Sequence, residues 1–376
     1  MTRSRREEDI MDQENKITVN RLPARTWNRL GVNESRIDPV SGAVSGEYVL
    51  NRTARDIACR GDGCGEQYRM ETGMGPEISR QLTDADTVYM RAANGISYKD
   101  PAVIGYHYGT DESYVNRIAI YAEENSSLDV IVTGESTAAA GRRSGEGTTA
   151  GLQITVQADP GAFIRIYVVQ LLDPDKKSLT DIGIREETGA VVKLVRLDLG
   201  AGSSYTGVLS QLHGDRSVFE ADTAYHAQGE QNIDMNYEAR HEGNKTVSRM
   251  DVSGVLRDSA RKLFRGTIDF RRGCAGSKGD EKEDVLLLGE NAVNQTVPLI
   301  LCQEEDVEGN HGASIGELDD AVLFYMGSRG ISRSDAEDMI AQPKVKAVAG
   351  LLPSEEIMRK VDAFLKKTMH ERCTVH

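Results

Sequence analysis

From about residue 95 to residue 305 the chain alternates apolar and polar residues with period two, and no convincing amphipathic helix breaks the run. The segments include "SLDVIVTG" (127–134), "GLQITVQAD" (151–159), "AFIRIYVVQLL" (162–172), "AVVKLVRLDLG" (190–200), "SSYTGVLSQLHG" (203–214) and "SVFEADTAYHAQGE" (217–230). "QNIDMNYEARHEG", "LFRGTIDFRRG" and "DVLLLGENAVNQTVPLILCQEE" continue the pattern. Alternation rich in β-branched residues indicates strands with one buried face. A doubly wound α/β sheet requires a crossover helix between parallel strands, so that class is excluded. A sandwich, a barrel or a solenoid remains. Strands of similar length, punctuated by Gly or Asn, favour a β-helix stacked rung on rung. Aromatic residues make up only 5% of the chain, so its core must be built from Val, Ile and Leu. No strict repeat period is visible.

The two flanks read differently. Residues 1–80 are polar and Gly-rich, with a short helix expected near Trp27 in "LPARTWNRLGVNES" and looser or edge segments after it. The other change falls within "VEGNHGASIGELDDAVLFYMGSRGIS" (307–332). Ser314 and Glu317 have the spacing of a capping box, which would start a helix. Leu318, Val322 and Tyr325 then form an inner stripe, and Gly327 and Gly330 mark its end. Ser334 and Glu337 form a second capping box. Pro353 and Ser354 open a third helix, with Ile357, Val361, Phe364 and Leu365 on one face. The expected division is therefore 1–80, a β body over 81–313, and a small helical domain over 314–376, removable without damage to the β body.

A net charge of −14 and a pI of about 5.1 argue against nucleic-acid binding. The first residues contain no apolar stretch of the signal-peptide kind, and no apolar run reaches the ~18 residues of a membrane span. A cytoplasmic protein is expected. Of the five cysteines, Cys59 and Cys64 have the spacing of half a metal site, but nothing pairs with them. Free thiols in a reducing compartment account better for Cys59, Cys64, Cys274, Cys302 and Cys373.

Sequence motifs for chemistry are few. His311 sits in "GNHG" (309–312), where the flanking glycines suggest a turn with an uncrowded imidazole, preceded by Glu304, Glu305, Asp306 and Glu308. Those carboxylates would raise its pKa or help hold a metal. "RRGCAGSKGDEKED" (271–284) fails the phosphate-loop pattern and reads as a solvated turn. "GRRSGEGTTAG" (141–151) reads as a flexible loop. There is no nucleophile elbow and no zinc-protease helix motif. Carboxylates are plentiful, but no pair is singled out.

The block from "FRGTIDFRRGCAGSKGDEKEDVLLLGENA" through "NHGASIGELD" (310–319) to "LFYMGSRGIS" (323–332) resembles the SufB/SufD family of iron–sulfur cluster assembly scaffolds. The likeness is specific over about 260–340, diffuse over 100–260, and weak before residue 80. It implies a right-handed parallel β-helix followed by a small helical domain. It also implies pairing of a SufB-like with a SufD-like chain through their β-helices, and docking of a SufC-like ATPase on the C-terminal helices. In the family, ATP-driven motion opens the scaffold so that a cluster forms at the shared interface. His311 matches the SufD-type histidine near that interface, which makes it the candidate metal ligand. The essential SufB-type cysteine aligns with Glu283, and SufB-type chains favour His-Glu where this chain has His311-Gly312. Both differences imply a SufD-like member, with Cys274 as a possible substitute ligand. Asp319, Phe324, Ser328, Arg329, Gly330 and Ile331 are the candidates for ATPase contact.

The preferred expectation is a non-catalytic scaffold subunit, with an iron–sulfur cluster held only transiently at a partner interface and none held stably by this chain alone. Nothing in the sequence assigns a flavin. A β-helix carbohydrate-active enzyme and a homodimeric SufB-type scaffold are the alternatives. The missing secretion signal counts against the first, and Glu283 in place of the cysteine counts against the second.

Overall fold

The computed structural model describes residues 15–26, 28–59, 70–82, 85–137 and 147–370. Trp27, Cys64, Cys373, residues 138–146 and the side chain of Cys59 lie outside that description. The described neighbours of Trp27, residues 28–31, form a turn. The chain begins with β1 (Ile17–Val19) paired antiparallel to β2 (Ser35–Ile37). Next come β3 (Val44–Ser45), β4 (Glu47–Leu50), α1 (Arg52–Ile57), β5 (Ala58–Cys59) and α2 (Pro76–Leu82).

A two-sheet parallel solenoid of about eight turns follows. One sheet stacks β6 (Thr87–Ala92), β8 (Tyr114–Ala122), β10 (Thr148–Ala158), β12 (Lys176–Glu186), β14 (Ser203–Leu212), β16 (Asn232–His241), β18 (Arg261–Phe270) and β20 (Val293–Cys302). The other stacks β7 (Ala102–Tyr108), β9 (Ser127–Ser136), β11 (Phe163–Leu172), β13 (Val191–Gly200), β15 (Val218–Ala227), β17 (Val247–Arg257), β19 (Ser277–Leu288) and β21 (Val307–Glu317). Each strand crosses to the opposite sheet, so every second strand pairs, parallel and in register. The rung length varies: Lys177 pairs with Ser203, 26 residues on, but Arg261 pairs with Val293, 32 residues on. That drift is why no repeat period is visible in the sequence.

The inner faces meet in one long core. Ile164, Val192, Phe219, Leu194, Ala221 and Met250 are among its fully buried members. Each buried aliphatic side chain contributes roughly 1.5–3 kcal/mol. The outer faces are covered too. The N-terminal segment lies over the first sheet, where Val19, Ile37, Met74, Ile78 and Leu82 pack on Val115 and Leu179. Its backbone touches the backbone of β14 where two glycines meet. A Cβ on Gly207 would lie 2.2 Å from the Met74 nitrogen, and one on Gly73 would lie 2.0 Å from the Val208 nitrogen.

The C-terminal helices are α3 (Asp320–Ser328), α4 (Arg333–Ala349) and α5 (Glu355–His370). They do not form a unit of their own. Val345, Ala349, Leu352, Ile357, Val361 and Leu365 share a core with Ile131, Tyr167, Val169, Leu171, Val195, Leu197 and Leu199 on the second sheet. The tail is therefore a wall of the β body, contrary to the expectation that it is removable. Arg257 of β17 fixes α4 through buried ion pairs to Asp338 (2.5 Å) and Glu337 (3.7 Å).

Several local expectations are corrected. Ser314 and Glu317 lie in β21, and the cap of α3 is Asp319, whose side chain accepts from the Ala321 amide at 2.8 Å. Ser332, not Ser334, caps α4, accepting from the Asp335 amide. A capping box is a local signal, and the ladder to β19 outweighs it at 314–317. Thr148–Gly151 belongs to β10, and only 271–276 of the "RRGCAGSKGDEKED" stretch lies outside a strand. No helix among the described residues is long and apolar enough to cross a membrane.

Candidate functional site

The two ends of the solenoid differ. At the first, β4 and β5 turn antiparallel onto β7 and β6, and Ala54 and Ile57 of α1 enter the core. At the other, β20 and β21 are the outermost strands of their sheets, and no further strand among the described residues pairs with them. Their backbone edges are open, a state that monomers usually blunt or cover.

In parallel, in-register strands, paired residues point the same way, so the inner face is a set of columns. Burial of Ser277, Gly279, Glu281, Glu283 and Val285 shows that β19 turns two carboxyls inward. The next rung sets His311 on Glu281, Ala313 on Glu283 and Ile315 on Val285. His311 is therefore a strand residue on the inner face of the last rung, not a turn residue. It is exposed, because no further rung among the described residues covers it.

Beneath this rim lies a closed polar network. The Lys262 ammonium donates to the Glu283 carboxylate and to the Thr296 hydroxyl (3.1 Å), and Thr296 in turn donates to Glu283. The Lys262 and Glu283 side chains are both 0% exposed. Burial lowers the Lys262 pKa, and the Glu283 charge opposes that shift. Glu283 is thus tied into an internal ion pair. Glu281 is 2% exposed and lies against Gly266, where a Cβ would come within 2.4 Å of the carboxyl. Burial first, and then the Glu283 charge, push its pKa up to about 7.

Cys274 is distant from this role. It is fully buried in the core, and burial followed by the Glu304 charge pushes its thiol up to about 11. A protonated core thiol is not an iron ligand in waiting. Cys302 is exposed at the end of β20, where its thiol donates to the Glu304 carbonyl at 2.9 Å.

The helical candidates are displayed beside the open end. Helix α3 buries none of its residues. Phe324 is 81% exposed, and Val322 and Tyr325 are also exposed, so the expected inner stripe is not one. Only Leu318 of that stripe is half-buried, packing with Ile340 near Val255, Leu286 and Ala341. The Arg329 guanidinium lies 5.4 Å from the Tyr325 ring centroid, Gly330 takes a φ of 80°, and Ile331 is half-buried. Asp319 and Ser328 serve the helix itself, Asp319 as the cap and Ser328 by donating to the Tyr325 carbonyl.

A family model described as "SUF system FeS cluster assembly, SufBD core domain" matches residues 106–343. The chain belongs to the SufBD family. It is 27% identical over 166 residues to the iron–sulfur cluster assembly protein SufD of Bacillus subtilis, covering 44% of this chain and 38% of that one. Over 152 residues it is 27% identical to SufD of Escherichia coli, covering 40% and 36% of the two chains. A SufBD family protein of Mycobacterium leprae is 26% identical over 202 residues, covering 54% of this chain and 23% of its own length. The aligned stretch thus spans less than two-fifths of each of these relatives. The stretch matched by the family model contains the solenoid from β8 onward, the open end and α3. Residues Glu281, Lys262 and Thr296 escaped the reading of the sequence. Their only signal was the period-two spacing of Glu281 and Glu283 between Gly279 and Val285.

Proposed function

We propose that this chain is a SufD-like scaffold subunit for iron–sulfur cluster assembly. It pairs through its open solenoid end with a SufB-like chain and binds a SufC-like ATPase through α3. The observation that carries the reading is the open end itself: two unpaired parallel edges, with His311 on the inner rim and Ile300 and Ile315 exposed beside it. Such edges suit strand addition by a partner, with exposed aliphatic side chains as anchors. Helix α3 supports the ATPase contact, since Phe324 and the Arg329–Tyr325 stack form an exposed aromatic and arginine pair. The cluster, its substrate and product, forms at the shared interface and is held there only transiently.

The test is co-purification. Ile315→Glu, at a 57% exposed site, removes the SufB-like partner and leaves folding intact. Phe324→Ala removes the ATPase and leaves the SufB-like partner. If both variants retain both partners at wild-type yield, the assignment of these two surfaces is wrong.

A further inference from the structure

The N-terminal segment carries a basic pocket on the outer side of the first sheet. Leu22 and Val32 anchor this stretch on Val297 of β20 and Leu263 of β18. Its backbone is fixed from several sides. The Leu22 amide donates to the Asn33 carbonyl at 2.8 Å, and the Thr26 amide donates to Asn33 Oδ1 at 2.7 Å. Arg265, whose side chain is 0% exposed, donates from Nε to the Val32 carbonyl at 2.6 Å. A loop held in this way offers a preorganised base for a site.

A pocket of about 400 Å³ opens on that base, lined by Arg25, Asn28, Gly31, Asn33, Glu34 and Arg36. Its volume lies within the roughly 300–1,000 Å³ of small-molecule sites. No apolar side chain lines it, so an apolar ligand does not fit. The charges around it are unbalanced. Glu34 accepts from Arg21 Nε at 2.9 Å, whereas Arg36 approaches it only to 3.6 Å. Arg25 makes no hydrogen bond or ion pair among the described residues. The Arg21 hydrogen bond, opposed by slight burial and helped by the charges of Arg21, Arg36 and Arg25, holds the Glu34 carboxyl below the usual carboxylate range. Three guanidiniums around one carboxylate leave two positive charges in excess, in a chain whose net charge is −14. Asn33 Nδ2 donates to Asn28 Oδ1 at 3.3 Å, which occupies the Asn28 acceptor and keeps its amide nitrogen as a donor.

We propose that this pocket binds a small phosphate monoester, held by the guanidiniums of Arg25 and Arg36 and the Asn28 amide. A phosphate monoester carries about −1.5 to −2 near neutral pH, which matches the excess, whereas a single carboxylate would leave one positive charge unpaired. Planar guanidinium forks donate paired hydrogen bonds to phosphate oxygens. The pocket is also larger than a free phosphate ion needs, which leaves room for the esterified group. Phosphate binding here requires neither a SufB-like nor a SufC-like partner.

Calorimetric titration of the full-length chain at low salt with inorganic phosphate, glycerol 3-phosphate and acetate tests this. One saturable site is expected for both phosphates, with glycerol 3-phosphate binding at least as tightly as the free ion and acetate about tenfold or more weaker. Arg25→Gln and Arg36→Gln each weaken phosphate binding by about tenfold, the scale of one charge-assisted hydrogen-bonding group. Arg52→Gln, at a 92% exposed arginine on α1, leaves it unchanged and guards against diffuse attraction. Arg25 is exposed and the Arg36 side chain is 51% exposed, so unchanged thermal unfolding of both variants keeps the result readable. The proposal is overturned if neither phosphate binds saturably, if both pocket variants bind like the wild type, or if Arg52→Gln weakens binding as much as they do. Acetate binding as tightly as phosphate would assign the pocket to carboxylates, and a free ion binding more tightly than the ester would remove the monoester.

Discussion

Replacing Glu283 with alanine removes one half of a buried ion pair and leaves the other half in place. The Lys262 ammonium, 0% exposed, would retain the Thr296 hydroxyl and the charge of the nearby Glu281 carboxyl, which it does not contact directly. Breaking a buried pair from one side costs roughly 3–5 kcal/mol where the remaining charge is left uncompensated, and the Glu281 charge places this case toward the lower end. Against a total stability of about 5–15 kcal/mol for a domain, this is a large fraction. The neutral double variant Lys262→Met/Glu283→Leu removes both charges and keeps the volume, so it should recover most of the loss. Urea unfolding followed by circular dichroism measures the wild type, Lys262→Met, Glu283→Leu and the double variant, the four corners of the cycle. The expected coupling is favourable by several kcal/mol, with the double variant close to the wild type. If Glu283→Ala alone shifts stability by less than about 0.5 kcal/mol, as an exposed position would, then Glu283 is not the internal anchor described here.

Deleting residues 333–376 strips α4 and α5 from the second sheet and exposes Tyr167, Val169, Leu171, Val195, Leu197 and Leu199. At roughly 1.5–3 kcal/mol per side chain, the truncated chain should aggregate or bind a hydrophobic dye, and a soluble monomer with unchanged circular dichroism would contradict the shared core. Gly207→Ala forces a Cβ against the Met74 backbone. It should cost about 1–3 kcal/mol, with faster proteolysis of the 70–82 segment, which limited trypsin digestion reads directly. Glu281 gives a pH dependence. Its folded pKa of about 7 exceeds the ordinary 4.5, so the folded chain binds more protons than the unfolded chain between those values, and stability falls as pH rises through that window. The ceiling is about 3 kcal/mol. Urea midpoints at about pH 5 and about pH 8 should converge in Glu281→Gln, and an equal slope in the wild type and the variant would refute the assignment.

The sequence determined the solenoid through local physics. Period-two alternation is visible in β9, β11 and β13, because Leu128, Val130, Val132, Ile164, Ile166, Val168, Val192 and Leu194 mark the inward face before the buried polar residues Gln170, Arg196 and Asp198 interrupt it. The amphipathic stripe Ile357, Val361 and Leu365 is equally plain, and these residues do lie on the buried face of α5. Family membership was legible from the "NHGASIGELD" and "LFYMGSRGIS" blocks. The tertiary structure decided the rest. β19 was hidden as a turn because its inward residues Gly279, Glu281 and Glu283 are not apolar, and only the rungs on either side reveal which way they point. His311 read as a loop residue for the same reason: glycines around it mean a turn in isolation but a sparse strand once β19 supplies the ladder. The exposure of Val322 and Tyr325 was invisible to a helical wheel. A wheel identifies which residues share a stripe, whereas what covers that stripe depends on how far the neighbouring sheet extends, and here it stops at β21.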